Sequence, residues 1–209
     1  LLFSIPFAQE WHQSFAGGTL DANNSFMGGS EILNIVTHND KLFASLGYWE
    51  DENNIWYGGD DLNLGWAQVI RLDNANGLWE VDFDLGSNHL RPEILKEVIF
   101  TKNYNGETLG NPDTLLIVGA YSPNYLSGSV TASIFIRNDS NGEWDQVVVY
   151  QGGFPASENY SMRDIELYTD QITGVEHLII SVGTKGIFTG QYNLDIEEKI
   201  EFSINPEIG

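Results

Sequence analysis

The chain has 209 residues, 42% of them hydrophobic, with 22 glycines, no cysteine, and 30 acidic against 9 basic side chains for a formal charge of −21. The apolar share is ample for the core of one large or two small domains. The lack of cysteine excludes a disulfide scaffold and a thiolate metal site, and the acidic balance argues against phosphate-bearing partners, whether nucleic acid or an anionic membrane.

The chain opens Leu1-Leu2-Phe3-Ser4-Ile5-Pro6-Phe7-Ala8 without a methionine and turns polar at Gln9 and Glu10. This reads as the apolar end of a secretory signal peptide, with a buried first strand as the competing reading. Residues 1–30 are accordingly expected to be a signal-peptide remnant and an N-terminal lead-in, and the protein to be extracellular or periplasmic. Asn205 to Gly209 offer no obvious terminator, so both ends read as cut. No apolar run approaches the roughly 20 residues that cross a bilayer as a helix, so no membrane span is expected.

From residue 31 onward short β-rich runs recur in a fixed four-part order, about every 65 residues. Ile35-Val36-Thr37, Ile99-Phe100-Thr101 and Leu167-Tyr168-Thr169 occupy matching first places. Leu46-Gly47, Val118-Gly119 and Val182-Gly183 end the second runs. The third and fourth runs meet at Asn74-Ala75-Asn76-Gly77-Leu78-Trp79 and again at Asp139-Ser140-Asn141-Gly142-Glu143-Trp144. Asn-Gly suits a two-residue type I′ turn, whose central positions both need positive φ, so Asn76-Gly77 and Asn141-Gly142 are predicted hairpin tips. After the first tip, Trp79, Val81, Phe83 and Leu85 alternate with Glu80, Asp82 and Asp84, which predicts one buried face and one wet, charged face.

Four antiparallel strands per repeat predict an all-β chain built as a β-propeller, with about three blades at 31–85, 93–150 and 162–204 within a repeat region spanning 31–209. Because propellers close with about 4–8 blades, three suggest a fragment of a larger ring. A sandwich or jelly roll is the competing all-β reading. The stretch from Pro92 to Phe100 has helical spacing, whereas alignment of the repeats makes it a strand.

The Asp139-to-Trp144 turn, with its partner at Asn74 to Trp79, resembles the Asp-box hairpin that joins the third and fourth strands of a blade in sialidase-type propellers. Its glycine is shifted by one place and its threonine is absent, so the resemblance implies blade register and no sialidase activity. More broadly the chain is similar to secreted bacterial-type β-propeller proteins.

In such a blade arrangement the loops between second and third strands share a rim with the segments that enter the first strands. Trp56, Tyr57 and Tyr125 in those loops would stack on sugar rings, with Asp60 and Asp61 binding hydroxyls; the competing reading is aromatics that plug their own loops. Asp51, Asp60 and Asp61 would suit Ca²⁺, although no EF-hand spacing is present and a solvated acidic loop, or a surface adapted to salt, explains them equally. Arg91 and Arg163 stand at equivalent blade entrances and would grip an anionic sugar, with His89 as proton acceptor and Glu93 or Asp164 beside them. Simple pairing of these arginines with the chain's many carboxylates is the alternative. His12, His38 and His177 form no recognisable metal set. The expected function is a secreted module that binds extracellular glycan; a polysaccharide lyase or glycoside hydrolase, and a scaffold for a protein ligand, are the alternatives.

Overall fold

Six successive apolar or small residues, Leu115 to Ala120, allow a strand that is buried on both faces. The computed structural model, which describes residues 13–47, 67–86, 89, 91–124, 127–153 and 159–208, shows that strand at the centre of an all-β architecture. A first sheet contains β3 (Glu31–His38), β4 (Lys41–Gly47), β5 (Gln68–Leu72) and β6 (Glu80–Asp84). A second contains β7 (Ile94–Lys102), β8 (Thr108–Asn124), β9 (Ser129–Arg137) and β10 (Trp144–Gly153). A third contains β11 (Met162–Thr169), β12 (Glu176–Val182), β13 (Gly186–Tyr192) and β14 (Ile200–Phe202). In each sheet the strands are antiparallel and lie side by side in chain order. A short hairpin of β1 (Thr19–Leu20) and β2 (Phe26–Met27) precedes them.

The period of two along β8 sorts its side chains between two cores. Leu115 and Ile117 pack with Ile165, Leu178, Ile180 and Phe188 of the third sheet. Leu116, Val118 and Ala120 pack with Phe43, Val69 and Leu85 of the first. The second sheet is therefore covered on both faces. The other face of the first sheet, with Ala44, Leu46, Ile70 and Trp79, is covered by Met27 and Phe15. Val81 N donates to Asp21 Oδ2 at 2.9 Å and Gln68 Nε2 to the Phe26 carbonyl at 2.9 Å, which fastens the leading hairpin to that sheet.

Pro92 to Phe100 leads into strand β7, as alignment of the repeats expects. Its apparent helical spacing arises because Ile94, Val98 and Phe100 enter one core and Leu95 the other. Two expectations are corrected. The two-residue turn with positive φ at both positions is Asn39-Asp40 (φ 49° and 60°), where β3 meets β4 in the pair His38↔Lys41. The Asn-Gly tips are longer connections: Gly142 N donates to the Asn138 carbonyl at 2.7 Å and Gly142 alone takes positive φ, while neither Asn76 nor Gly77 does. Alternation along β6 also breaks. A bulge shifts the register so that Val69 faces Phe83 but Ile70 faces Val81. Trp79 and Val81 therefore enter one core and Phe83 and Leu85 the other. Asp82, at the bulge, is not on a wet face: its side chain is 2% exposed and ion-paired to two arginines.

Candidate functional site at the entrances of the first strands

The first strands of the three sheets run in the same direction with their starting ends together. Asn34 of β3 donates through Nδ2 to the Glu93 carbonyl at 3.2 Å, just ahead of β7. Glu93 Oε2 accepts from the Met162 backbone N–H at 2.6 Å, where β11 begins. Further along, Lys96 Nζ donates to the Ile165 carbonyl at 2.6 Å, so β7 stays beside β11. A carboxylate buried to 6% side-chain exposure thus holds two sheet entrances together by satisfying a backbone donor.

Arg91 lies over this junction. Its Nε is 3.4 Å from Glu93 Oε1 and its Nη1 3.8 Å from Glu31 Oε1, so one guanidinium spans the entrances of β3 and β7. Gly47 makes this approach possible: a Cβ at that position would lie 2.2 Å from the Arg91 Cβ. Arg163, the second residue of β11, is exposed. The two arginines expected at equivalent entrances therefore differ in what they can do. Arg91 is 13% exposed and engaged by carboxylates of its own chain, so an anion must compete with Glu31 and Glu93 for it, whereas Arg163 meets solvent.

His89 belongs to the connection that leads from β6 to β7. Its Nδ1 is 2.7 Å from the Leu85 carbonyl, which can only accept, so Nδ1 carries the proton. The ring meets Phe135 edge-on at 5.7 Å. Burial pushes its pKa below the usual histidine value, with the Leu85 hydrogen bond opposing. The ring is thereby held neutral with its lone pair on Nε2.

Trp56, Tyr57, Asp60, Asp61 and Tyr125, the expected sugar contacts, and Asp51, the further Ca²⁺ candidate, lie outside the described residues. So does the apolar stretch from Leu1 to Ala8. Among the described residues no group of three or more His, Cys, Asp or Glu is placed to hold a metal ion, and no helix is long and apolar enough to cross a membrane. A cavity of about 320 Å³ lies between the leading hairpin and Trp79, and another of about 410 Å³ is bordered by Asp113, Asp139, Asp145, Glu197 and Lys199.

A polar cluster that sequence reasoning missed lies between the first and second sheets. Asp82 accepts from Arg71 Nη1, from Arg137 Nε at 2.8 Å and from the Trp144 indole N–H at 3.0 Å. Arg137 continues to Asp139 at 2.5 Å, and Asp139 to His38 at 2.8 Å. Its partners are separated by 55 and 101 residues, so no local spacing announces it. Comparison with family models, with curated proteins and with solved structures finds no match.

Proposed function

We propose that the three sheets are successive blades of a β-propeller, and that the chain is a secreted module which binds extracellular glycan through its rim loops. The observation that carries this reading is the convergence at Glu93, where Asn34 of β3, Arg91 and the start of β11 meet. Parallel first strands with their entrances together are what blades set around an axis require. Three sheets fall short of a closed ring, so the reading includes further blades beyond them. The loops carrying Trp56, Tyr57, Asp60, Asp61 and Tyr125 follow β4, which ends beside an entrance in the pair Glu31↔Gly47, and β8, which passes the start of β7 in the pair Ile94↔Gly119 and continues to Asn124. Aromatic faces beside carboxylates suit sugar rings and their hydroxyls, and Asp51, Asp60 and Asp61 would supply hard oxygen ligands if Ca²⁺ takes part. The Asp-box-like turn supports the blade reading, and the apolar stretch from Leu1 to Ala8 supports the export reading.

The decisive test is a glycan array followed by titration of the best binder. Trp56→Ala is expected to weaken binding at least about tenfold with the folded fraction unchanged; unchanged affinity rejects the loop as the site. A second reading, a lyase or hydrolase acting on glycan, is favoured by one observation, the neutral His89 with a lone pair on Nε2. In that reading Arg163 and Arg91 hold an anionic sugar. Release of new reducing ends that His89→Ala abolishes would establish it, and binding without turnover supports the module.

A further inference from the structure

His38 ends β3, and its side chain is wholly buried. Its Nδ1 is 2.7 Å from Glu97 Oε2 on β7, and its Nε2 is 2.8 Å from Asp139 Oδ2 in the β9–β10 turn. Each ring nitrogen thus faces a carboxylate oxygen on the neighbouring sheet. Ionised carboxylates only accept, so both contacts are hydrogen bonds only when both nitrogens carry protons. A neutral ring would set one lone pair against a carboxylate oxygen in a wholly buried place, where the Asn39 amide, with Nδ2 3.2 Å from Nε2, is the neutral donor at hand.

We propose that His38 is a proton-operated clasp between the first and second sheets, closed as an imidazolium between Glu97 and Asp139 and loosened when the ring loses a proton. The surroundings favour this assignment. Glu97 and Asp139 keep 29% and 33% of their side chains exposed, so both carboxylates reach solvent while the ring between them is wholly buried. From β4, Phe43 presents no charge and meets the ring at 6.0 Å between centroids. From β9, Arg137 binds the other oxygen of Asp139 at 2.5 Å and sits over Phe43 at 5.3 Å, so its charge is spent on Asp139 and Asp82. Within the turn, Asn39 Nδ2 is 3.2 Å from His38 Nε2 but donates over the shorter distance, 2.8 Å, to Asp139 Oδ2, and Asp40 is exposed. Lys41, the cross-strand partner of His38, turns to Asp73 at 3.1 Å. The two carboxylates are therefore the charged groups that answer the state of the ring.

The sign follows from the donor count. With the imidazolium present both charge-assisted bonds join the sheets; on deprotonation one becomes a repulsive contact. Stability is thus expected to fall as pH rises from mildly acid to mildly alkaline, with the unfolding constant growing at least about tenfold. Nitrogen-15 spectra of the labelled full chain report the ring directly, and at mildly acid pH one buried histidine should show two protonated nitrogens. Glu97→Gln supplies an amide N–H to the ring's lone pair, so a neutral His38 fits, and the melting temperature of this variant should be flat over the pH range in which the parent declines. Asp139→Asn is the parallel variant should the first fold poorly. A single-protonated His38 at mildly acid pH, or an equal decline in the parent and both variants, overturns the proposal.

Discussion

Arg137 of the second sheet reaches Asp82 on the last strand of the first with a two-pronged grip, Nε to Oδ2 at 2.8 Å and Nη2 to Oδ1 at 3.1 Å. The carboxylate is 2% exposed and the guanidinium carrier 9%, so neither has water as an alternative partner. Burial alone would lower the Arg137 pKa, yet the hydrogen bonds and charge of Asp82 raise it above the usual arginine value. Removing one member of such a pair leaves the other desolvated and unanswered. Asp82→Ala should therefore cost about 3–5 kcal/mol in urea unfolding. Arg71→Ala should cost less, because Asp82 keeps Arg137 and the Trp144 indole. Equal effects would mean that the inter-sheet grip is not the dominant contact.

The turn Asn39-Asp40 holds two non-glycine residues at φ 49° and 60°. Side chains in this region strain against the backbone by roughly 1 kcal/mol each unless they find local hydrogen bonds. Asn39 has such a bond, to Asp139, whereas Asp40 is exposed. Asp40→Gly should therefore stabilise the protein by up to about 1 kcal/mol, seen as a higher melting temperature, and Asp40→Val should lower it. A destabilised glycine variant would place an unrecognised contact on Asp40.

Much of the strand framework was legible because it is local. Runs ending at Thr37, Thr101 and Thr169 and at Gly47, Gly119 and Gly183 mark β3, β7, β11 and their partners in order. What misled was any place where tertiary packing changes a local rule. The bulge at Asp82 sends Phe83 and Val81 to opposite cores although they are two residues apart, and a strict period of two cannot register that. β7 has helical spacing because Ile94 and Leu95 feed different cores, and alignment of the repeats, not periodicity, marks it as a strand. His38 gave no signal at all, since Glu97 and Asp139 lie 59 and 101 residues away. At the strand entrances the sequence named Arg91 and Arg163 but not their difference, which follows from Gly47 and Glu31 closing around Arg91 alone.

Asp113 joins the second and third sheets by accepting from Lys199 Nζ at 2.8 Å and from the Tyr192 hydroxyl at 2.5 Å. Burial pushes the Asp113 carboxyl up, but the Lys199 and Tyr192 hydrogen bonds outweigh it and leave the carboxyl below the usual range. Its contribution is therefore present above the unfolded aspartate value and lost as pH falls through the depressed folded value. Tyr192 moves oppositely: burial, then the Asp113 hydrogen bond and charge, raise the phenol above the usual tyrosine range. That contribution is full below the unfolded tyrosine value and disappears at higher pH. Acid titration of the melting temperature should show a shallower decline in Asp113→Asn than in the parent. Alkaline ultraviolet titration should show one tyrosine that ionises late, absent in Tyr192→Phe. Identical acid limbs, or simultaneous ionisation of all tyrosines, would sever this link between the sheets.

Gly47 tests whether the entrance geometry is set by Arg91. Its φ is not positive, so alanine carries no intrinsic backbone strain there, and the effect of substitution is isolated to space. A methyl at this position would lie 2.2 Å from the Arg91 Cβ and 3.0 Å from its Cα, and backbone cannot swing aside as a long side chain can. The chain before β7 must then retreat, which loosens Arg91 from Glu31 and disturbs the Glu93 carboxylate that receives the Met162 N–H. Gly47→Ala is expected to cost about 1–3 kcal/mol, as overpacking does. Amide hydrogen exchange should quicken at Met162 in the third sheet, although the substitution is in the first. Loss of stability without faster exchange at Met162 would show that the three entrances do not move as a unit.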